Sequence, residues 1–311
     1  MSGEFYAIVG PTAAGKTKVA FELARRLSGE VVSVDSRQIY RYMDIGTDKI
    51  SHSDRHIVPH HLIDIADPDE EFSAADFVIR AEDAVRRIAA RGRIPILAGG
   101  SPLYYKALEG NMLSDGLPKD ASVRESLKRE ASEMGNGAMH ARLGEIDPDA
   151  ARRIHPNDRY RILRALEIWE LTGHGPTELY RGRKKIGGMK IFYLGVKSPR
   201  EVLYKKIEAR AAEQFKSGYP EEVEWLMSMG YSPEHPSMNG FGYRELALYL
   251  KGRMTLEEAL TADIKSTKAF SRRQMTWFGK FCPILWYDFP ELDFDKVVDD
   301  MTVRILGGRS L

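Results

Sequence analysis

Short apolar runs alternate with segments of helical spacing through the N-terminal third of the chain. The runs have the length of strands, and three of them lie at 5–9, 31–34 and 94–98. Between the first two runs, apolar residues recur every three or four positions, at Val19, Leu23 and Leu27, as in a helix that packs on one face. This alternation predicts an α/β fold in which a parallel sheet is flanked by helices.

The pattern changes between about residue 115 and residue 187, where no strand-like run occurs. Four segments there have helical character, at 121–134, 137–145, 148–154 and 157–172. The last of them has an apolar stripe, formed by Ile162, Leu163, Leu166 and Trp169. Strand character returns at Met189–Val196. We therefore predict an all-helical insertion domain at 115–187, within a core domain made of 1–114 and 188–311.

A glycine-rich loop lies between the first predicted strand and the first predicted helix. It reads Gly10-Pro11-Thr12-Ala13-Ala14-Gly15-Lys16-Thr17 and matches the P-loop pattern G-x-x-x-x-G-K-[ST]. Its glycines permit backbone angles that aim the loop amides at phosphate oxygens. Lys16 adds a mobile positive charge, and the hydroxyl of Thr17 is placed to ligate Mg²⁺. The loop predicts a P-loop NTPase-like core that binds a diphosphate or triphosphate, with Mg²⁺ as the cofactor.

Two polar residues come directly after predicted strands. Asp35 follows the second strand, and Ser101 follows the third after Gly99 and Gly100. Because ligands bind at the carboxyl ends of parallel strands, both residues are expected to face the phosphate site. Asp35 suits a base or a magnesium ligand, and it equally suits a cap of the turn. Ser101 suits a hydrogen bond to substrate, and also the N-cap of the next helix.

The composition is that of an ordinary globular protein. The chain has 311 residues, of which 43% are hydrophobic and 29% charged. No apolar run approaches the roughly 20 residues that span a bilayer, and the N-terminus lacks a signal-peptide pattern. The single cysteine, Cys282, excludes an internal disulfide and a multi-cysteine metal site. We therefore expect a cytoplasmic protein.

Four histidines fall close together, at positions 52, 56, 60 and 61. A metal site is one interpretation of this group. A structural or substrate-lining loop is the other, and we favour it because Pro59 interrupts helical spacing and no ligand-spacing pattern fits.

A net charge of +1 conceals two basic stretches. Residues 151–185 contain nine Lys and Arg against four Asp and Glu, and residues 264–287 contain five against none. In the second stretch, Arg272 and Arg273 lie close to Trp277, a combination suited to phosphate contact and base stacking. A solvated surface would also explain the first stretch, but its excess of positive charge favours an anionic polymer or a phosphate as the partner. For the second stretch, a surface helix with Trp277 in the core is an equal alternative.

The combined motifs resemble the tRNA dimethylallyltransferases, also called tRNA isopentenyltransferases. The resemblance runs from about residue 4 to residue 287 and depends on the order and spacing of seven segments. These are Gly10–Thr17, Asp35–Tyr40, Pro59–Asp64, Gly99–Tyr104, Asn157–Glu167, Met238–Tyr243 and Arg272–Trp277. The zinc finger of the family's eukaryotic members is absent, which indicates a bacterial-type enzyme.

The resemblance implies transfer of a dimethylallyl group from dimethylallyl diphosphate to N6 of the adenosine on the 3′ side of the tRNA anticodon. Residues 10–17 would hold the diphosphate leaving group, with Mg²⁺ on Thr17. Asp35 would be the general base, Ser101 would hold the adenine amine, and Arg210 would neutralise developing charge. Ser101 stands where the family usually has threonine, which keeps the hydroxyl.

The resemblance also implies which residues contact the tRNA, whose target base must leave the stack of the anticodon loop. Near the active site these are Asp35, Ser36, Arg37, Gln38 and Ser101. On the insertion domain they are Arg159, Tyr160, Arg161, Ile162 and Leu163. In the C-terminal basic stretch they are Arg272 and Arg273. The segment 267–274 departs from the family's usual sequence but keeps its positive charge.

Two other functions fit parts of the sequence. A P-loop kinase of a small metabolite would share the loop and the Mg²⁺ site, but it would not need the basic helices. A non-catalytic RNA-binding NTPase would use the basic helices, but it would not need Asp35 and Ser101 to face one pocket. We expect a monomer without membrane association.

Overall fold

The computed structural model describes residues 4–110, 112–113, 117–181, 185–281 and 283–307. Eight strands form in these ranges: β1 (Glu4–Val9), β2 (Glu30–Ser33), β3 (His60–His61), β4 (Pro95–Gly99), β5 (Met112–Leu113), β6 (Lys185–Ile186), β7 (Lys190–Lys197) and β8 (Ile284–Asp288). The helices are α1 (Lys16–Arg26), α2 (His52–Ile57), α3 (Ala74–Ala90), α4 (Pro102–Leu108), α5 (Ala121–Ile146), α6 (Pro148–Arg153), α7 (Arg159–Thr172), α8 (Pro176–Tyr180), α9 (Arg200–Lys216), α10 (Tyr219–Ser228), α11 (Tyr243–Leu250), α12 (Leu256–Phe278) and α13 (Phe294–Gly307). Among these helices, none has the length and apolar character needed to cross a membrane.

Six strands form one sheet in which every neighbouring pair is parallel, in the order β3-β2-β4-β1-β7-β8. β1 lies inside the sheet, where Ala7 pairs with Leu97 of β4 on one side and Tyr193 of β7 on the other. Parallel neighbours need crossover connections, which the helices supply. The expected α/β fold with a parallel sheet flanked by helices is confirmed. The sequence analysis missed β3 and β8.

Apolar side chains of the sheet and of three helices form the main core. Val19 and Leu23 of α1, Ile207 of α9 and Val298 of α13 are at most 1% exposed and belong to one cluster with the strand residues. The periodic stripe that predicted α1 is therefore its packed face. A second cluster joins residues after β2, such as Met43, to α10, α11 and α12.

Two glycines allow close contact between backbone segments at the carboxyl edge of the sheet. A Cβ atom on Gly10, whose φ is 146°, would lie 2.1 Å from the carbonyl oxygen of Val196. A Cβ atom on Gly99 would lie 2.0 Å from the carbonyl oxygen of Val34. Any side chain at either position would push neighbouring segments apart, so these glycines keep the strand ends close together.

Contacts divide the chain into two compact units, Met1–Asn111 with Gly187–Leu311, and Met112–Ile186. In the second unit α5 packs on α6 and α7, and Gly135 breaks the helical angles of α5 with φ 82° and ψ 160°. The unit also contains a short antiparallel pair, β5 with β6. The prediction that residues 115–187 are all-helical is therefore wrong at β6. A strand of two residues is too short to produce an apolar pattern in the sequence.

A buried carboxylate connects three segments of the second unit. Glu167 is fully buried and accepts hydrogen bonds from the backbone N–H of Asp120 at 3.0 Å, from Arg124 at 3.0 Å and from Arg164 at 2.9 Å. Burial alone would raise the pKa of the Glu167 carboxyl, but Arg164, the Asp120 amide and Arg124 outweigh it and hold the pKa below its usual value. A lowered folded-state pKa stabilises the fold above the unfolded-state pKa, and this stability is lost as pH falls.

We predict that Glu167→Ala destabilises the second unit by about 3 kcal/mol or more, because it leaves two arginines without their buried partner. Native-state hydrogen exchange of α7 amides in urea measures this loss. The control is Glu125→Ala, since Glu125 pairs with Lys128 at the exposed surface and such pairs contribute at most about 1 kcal/mol. The difference between wild type and Glu167→Ala should shrink as pH falls through about 4; a constant difference would contradict the assignment.

Candidate active site

The loop after β1 has the shape that the P-loop pattern predicts. Gly15, the N-cap of α1, has a left-handed backbone with φ 96°, and Ala13 has φ 61°. The Ala14 amide donates to the carbonyl oxygen of Pro11 at 3.3 Å, which closes a turn. The loop therefore curls around the start of α1, where free amides and the helix dipole favour an anion.

A cavity of about 340 Å³ opens over this loop at the carboxyl edge of the sheet. Its lining includes four cationic side chains and two carboxylates, those of Lys16, Lys18, Lys206, Arg210, Asp35 and Asp48. Thr12, Ala13, Gly15 and Thr17 of the loop also line it. The excess of positive charge and the loop amides make the cavity suited to a polyanion such as a diphosphate.

Two cations are held directly over the loop. Lys16 Nζ donates to a carbonyl oxygen of the loop at 2.7 Å. Arg210, on α9, donates to Thr12 Oγ1 at 2.9 Å and pairs with Asp48 at 2.8 Å. Burial lowers the pKa of Lys16 to about 8; Asp35 opposes this shift, Arg210 adds to it and Asp48 opposes it. A bound anion would favour the charged form of Lys16 and raise this pKa again.

Asp35 both closes a turn and lines the cavity. Its Oδ1 atom accepts from the backbone amides of Arg37 at 2.8 Å and Gln38 at 3.4 Å. In the part of the chain that the structure describes, the hydrogen bonds to Asp35 end on Oδ1, which leaves Oδ2 for a ligand. The sequence suggested a turn cap and, equally, a base or magnesium ligand for Asp35. In the structure Oδ1 caps the turn, and Oδ2 is the oxygen that could serve the second role.

Ser101 connects the turns that follow β4 and β2. It occupies the N-cap position of α4, but its hydroxyl makes no cap hydrogen bond to that helix. Its Oγ atom instead accepts from the Ser36 amide at 3.0 Å and lies 3.4 Å from Ser36 Oγ. The Ser101 hydroxyl therefore bonds to the segment that carries Asp35 and not to the start of its own helix.

Gln274 is a site residue that the sequence analysis mentioned only inside a family motif. Its side chain is 3% exposed; Oε1 accepts from the Thr12 amide at 2.8 Å, and Nε2 donates to the carbonyl oxygen of Gly100 at 2.7 Å. A Cβ atom on Gly100 would lie 2.3 Å from this Nε2 atom. Gln274 thus holds the P-loop and the turn after β4 in a fixed relation.

The segment 44–48 forms another wall of the cavity and is anchored by Glu222 of α10. The carboxylate of Glu222 accepts from three consecutive backbone amides, Asp44 at 2.8 Å, Ile45 at 2.7 Å and Gly46 at 3.2 Å. Burial raises the pKa of Glu222, although these amides favour the ionised form. No sequence signal connects Glu222 with a segment so far away in the chain.

The side chain of Gln38 is also used within the protein. Its amide nitrogen donates to the carbonyl oxygens of Thr47 at 3.3 Å and Asp48 at 3.2 Å, and its oxygen accepts from Ser33 Oγ at 3.0 Å. Gln38 therefore joins the end of β2 to the segment 44–48. It lines the cavity beside Asp35 with its polar atoms already paired, and the tRNA contact that the resemblance implied for it stays a prediction.

The other arginines expected at the RNA surface of the first unit differ in exposure. Arg37 is half-buried, with its guanidinium 5.4 Å from the centre of the Tyr243 ring. Arg272 and Arg273 of α12 are exposed. Arg272 donates to the hydroxyl of Tyr204 at 2.8 Å. These two arginines therefore present charge to solvent, away from the buried face of α12 that carries Gln274.

The four histidines separate in the structure. His60 lines the cavity, and burial lowers its pKa. His61 lies 2.6 Å from Glu30, while His52 and His56 are exposed on α2. Among the described residues, no group of three or more His, Cys, Asp or Glu side chains is arranged to hold a metal.

The five residues expected to contact RNA on α7 fall on two sides of the helix. Arg159, Tyr160 and Arg161 are exposed, and Tyr160 is 75% exposed. Ile162 and Leu163 are 1% and 7% exposed and belong to the core of the second unit. The expectation that the side chains of Ile162 and Leu163 contact RNA directly is therefore corrected. These side chains position α7, because a helix cannot expose five consecutive residues.

The fold and the cavity define a P-loop α/β protein built to bind a phosphorylated ligand. The family model described as IPP transferase matches residues 38–281. The chain therefore belongs to the IPP transferase family, as the resemblance indicated. The tRNA dimethylallyltransferase of Heliobacterium modesticaldum is 40% identical over 305 residues, which cover 97% of this chain and 95% of the relative.

One more relative and two solved structures are also similar to this chain. The tRNA dimethylallyltransferase of a Thermoanaerobacter species (strain X514) is 39% identical over 316 residues, 99% of each chain. The tRNA isopentenylpyrophosphate transferase of Bacillus halodurans has a solved structure with 40% identity and a TM-score of 0.72, covering 98% of this chain and 96% of its own. A eukaryotic dimethylallyltransferase shares the fold, with a TM-score of 0.82 at 24% identity, over 100% of this chain and 81% of its own.

We predict that Glu222→Gln loosens the segment 44–48, because a neutral side chain with one acceptor oxygen replaces a carboxylate that binds three amides. Hydrogen exchange at Asp44, Ile45 and Gly46 should speed up about tenfold or more, since hydrogen bonds to charged groups contribute about 1.5–3 kcal/mol. Glu221→Gln is the matched control, because Glu221 lies exposed in the same first turn of α10. Equal exchange rates in the two variants would contradict the anchoring role.

Proposed function

We propose that this protein transfers the dimethylallyl group of dimethylallyl diphosphate to N6 of the adenosine next to the anticodon, on its 3′ side, in tRNA. One observation carries the proposal: Asp35 and the cations of the P-loop line the same cavity in a chain of the IPP transferase family. The relatives named above act, by their names, as transferases on tRNA. The cavity supplies both halves of the reaction, a cradle for a leaving diphosphate and a carboxylate beside it.

The diphosphate half follows from the charges around the loop. As the bond between the allylic carbon and the diphosphate oxygen breaks, negative charge grows on the leaving group. The amides of the P-loop, Lys16 and Arg210 are already fixed where that charge develops, so little reorganisation is needed. Arg210 would exchange its pairing with Asp48 for the phosphate oxygens.

The residues present also fit Mg²⁺. The hydroxyl of Thr17 lines the cavity with the carboxylate of Asp48, and both are oxygen donors of the kind that Mg²⁺ takes while keeping several waters. In the described residues, no side-chain hydrogen bond occupies the Thr17 hydroxyl, which leaves it available. Bound there, the ion would neutralise part of the charge of the diphosphate.

The acceptor half uses Asp35 and Ser101. The adenine amine attacks the allylic carbon, the new carbon–nitrogen bond forms, the diphosphate leaves, and one proton of the amine passes to Asp35. Oδ2 of Asp35 is available for that proton, while Oδ1 remains fixed by two amides. Ser101 would orient the amine with its hydroxyl, whose side-chain hydrogen bonds within the described residues go to Ser36.

The tRNA is recognised in this proposal by charge and by an extruded base. Arg37 and Gln38 lie beside Asp35, Arg272 and Arg273 are exposed on α12, and the second unit adds its own arginines. The expected monomer stays a prediction.

The alternative is a P-loop kinase of a small metabolite, and family membership does not favour it. Purified protein, Mg²⁺ and unmodified tRNA are incubated either with labelled dimethylallyl diphosphate or with labelled ATP. Label should reach the tRNA from the prenyl donor alone. ATP turnover without prenyl transfer would overturn the proposal.

We predict that Asp35→Asn lowers the single-turnover rate of transfer by about 10²-fold or more, because the base is removed. Asparagine keeps the Oδ1 acceptor of the turn, so tRNA affinity should stay close to that of wild type. Asp67→Asn serves as the control, since Asp67 pairs with Arg41 at the surface. Equal losses of affinity and rate would make Asp35 a structural residue.

A second prediction concerns Arg159 and Arg161. Replacing both with Gln should weaken tRNA binding and reduce the slope of log affinity against log salt by about 1 for each lost phosphate contact. Arg86→Gln is the matched control. Arg86 is 64% exposed and pairs with an acid three residues away, much as Arg161 does at 61% exposure. An unchanged slope would place Arg159 and Arg161 on an ordinary solvated surface.

A further inference from the structure

The second unit contains a pocket that the reaction described above does not use. It has a volume of about 220 Å³ and lies beside α7; we call it the α7 pocket. Its floor is apolar and includes Ala150, Ala165 and Ile168, each at most 3% exposed. Its rim includes two tyrosines, Tyr160 and Tyr180, and the guanidinium of Arg161.

The chemistry of this lining favours a flat, aromatic ligand. An apolar floor offers water few of the roughly three hydrogen bonds that a buried water makes, and cavities of about 150 Å³ already hold a benzene ring. Tyrosine rings and arginine planes are the surfaces on which unpaired bases stack. The α7 pocket therefore has the size and the lining for one heterocyclic base.

The charge around the pocket indicates what the base belongs to. Three arginines line the pocket, Arg153, Arg161 and Arg164. Two of them have acidic partners, Asp158 for Arg161 and Glu167 for Arg164, so the group keeps a positive charge. An apolar floor inside a cationic rim matches a base that is joined to phosphates on both sides. It does not match an acyl chain, which carries no such charges.

We propose that the α7 pocket binds one unpaired base of the anticodon loop, a base other than the adenosine that is modified. The inference rests on the proposed function and names a second base-binding site for the same substrate. Tyr160 stacks on the base from the rim, and Arg161 contacts the adjoining phosphate. The consequence is that recognition by the second unit depends on an unpaired nucleotide in addition to backbone charge.

The experiment is a thermodynamic cycle between one side chain and one base. An RNA hairpin with the anticodon loop is made with an abasic nucleotide at each unpaired position in turn, the reactive adenosine excepted. Dissociation constants are measured at one salt concentration for wild type, Tyr160→Ala and Tyr160→Phe. Met134→Ala, which removes another exposed apolar side chain of the same unit at 60% exposure, is the control.

Tyr160→Ala should bind the intact hairpin about tenfold more weakly, as expected for one lost stacking contact. One abasic position should weaken wild type by a similar factor and have no further effect in Tyr160→Ala. Tyr160→Phe, which keeps the ring, and Met134→Ala should bind as wild type does. Circular dichroism checks that Tyr160→Ala remains folded.

Additive losses at every position, or wild-type affinity of Tyr160→Ala, would overturn the base-binding role. So would a dimer of the free protein that Tyr160→Ala dissociates, because the pocket would then serve self-association. Transfer of labelled prenyl group by the wild type is scored separately. Its absence would overturn the proposed function, whereas intact transfer without coupling to Tyr160 would overturn the α7 pocket alone.

Discussion

The arrangement of the active site depends on one buried amide side chain. Gln274 accepts from the backbone of Thr12 and donates to the backbone of Gly100, so it fixes the P-loop against the turn after β4. A side chain with a single hydrogen-bonding role could not do this, because one partner is a donor and the other an acceptor. Ser101 and Ser36 continue the same chain of contacts to Asp35. The distance between the P-loop and Asp35 is therefore set by buried hydrogen bonds to the backbone and not by flexible surface residues.

The second constraint is electrostatic. Lys16 and Arg210 lie over one short loop and raise the cost of each other's charge, which contributes to the lowered pKa of Lys16. Asp35 and Asp48 offset part of that repulsion, and Asp48 pairs directly with Arg210. In the free protein these carboxylates are therefore the partners of the cations. A bound polyanion would replace them in that role. Glu222 anchors the segment 44–48. It therefore determines the position of Asp48 while Asp48 is still paired with Arg210.

Much of the fold could be predicted because its signals are local. The apolar runs that became β1, β2 and β4 and the spacing that became α1 depend on neighbouring residues alone, and the P-loop motif fixed the site at their ends. The strand β3 was too short to show a pattern. β8 follows a long helix, and its partner among the described strands is β7, which is distant in sequence. Glu222 and Gln274 act on backbone atoms far away in the chain, so nothing in their own neighbourhood could show their roles. The roles of the remaining site residues came from the family resemblance.

The glycines at the carboxyl edge of the sheet bear on how this active site can be altered. Positions 10, 99 and 100 have no room for even one additional carbon, since backbone or the amide of Gln274 lies within 2.3 Å of each Cβ position. A library that varies these positions would contain few folded members. Other lining positions, such as Thr47 and Lys206, already carry side chains, so changes of donor preference are better sought there. For a protein engineer, the glycine edge is thus the part of the cavity to leave unchanged.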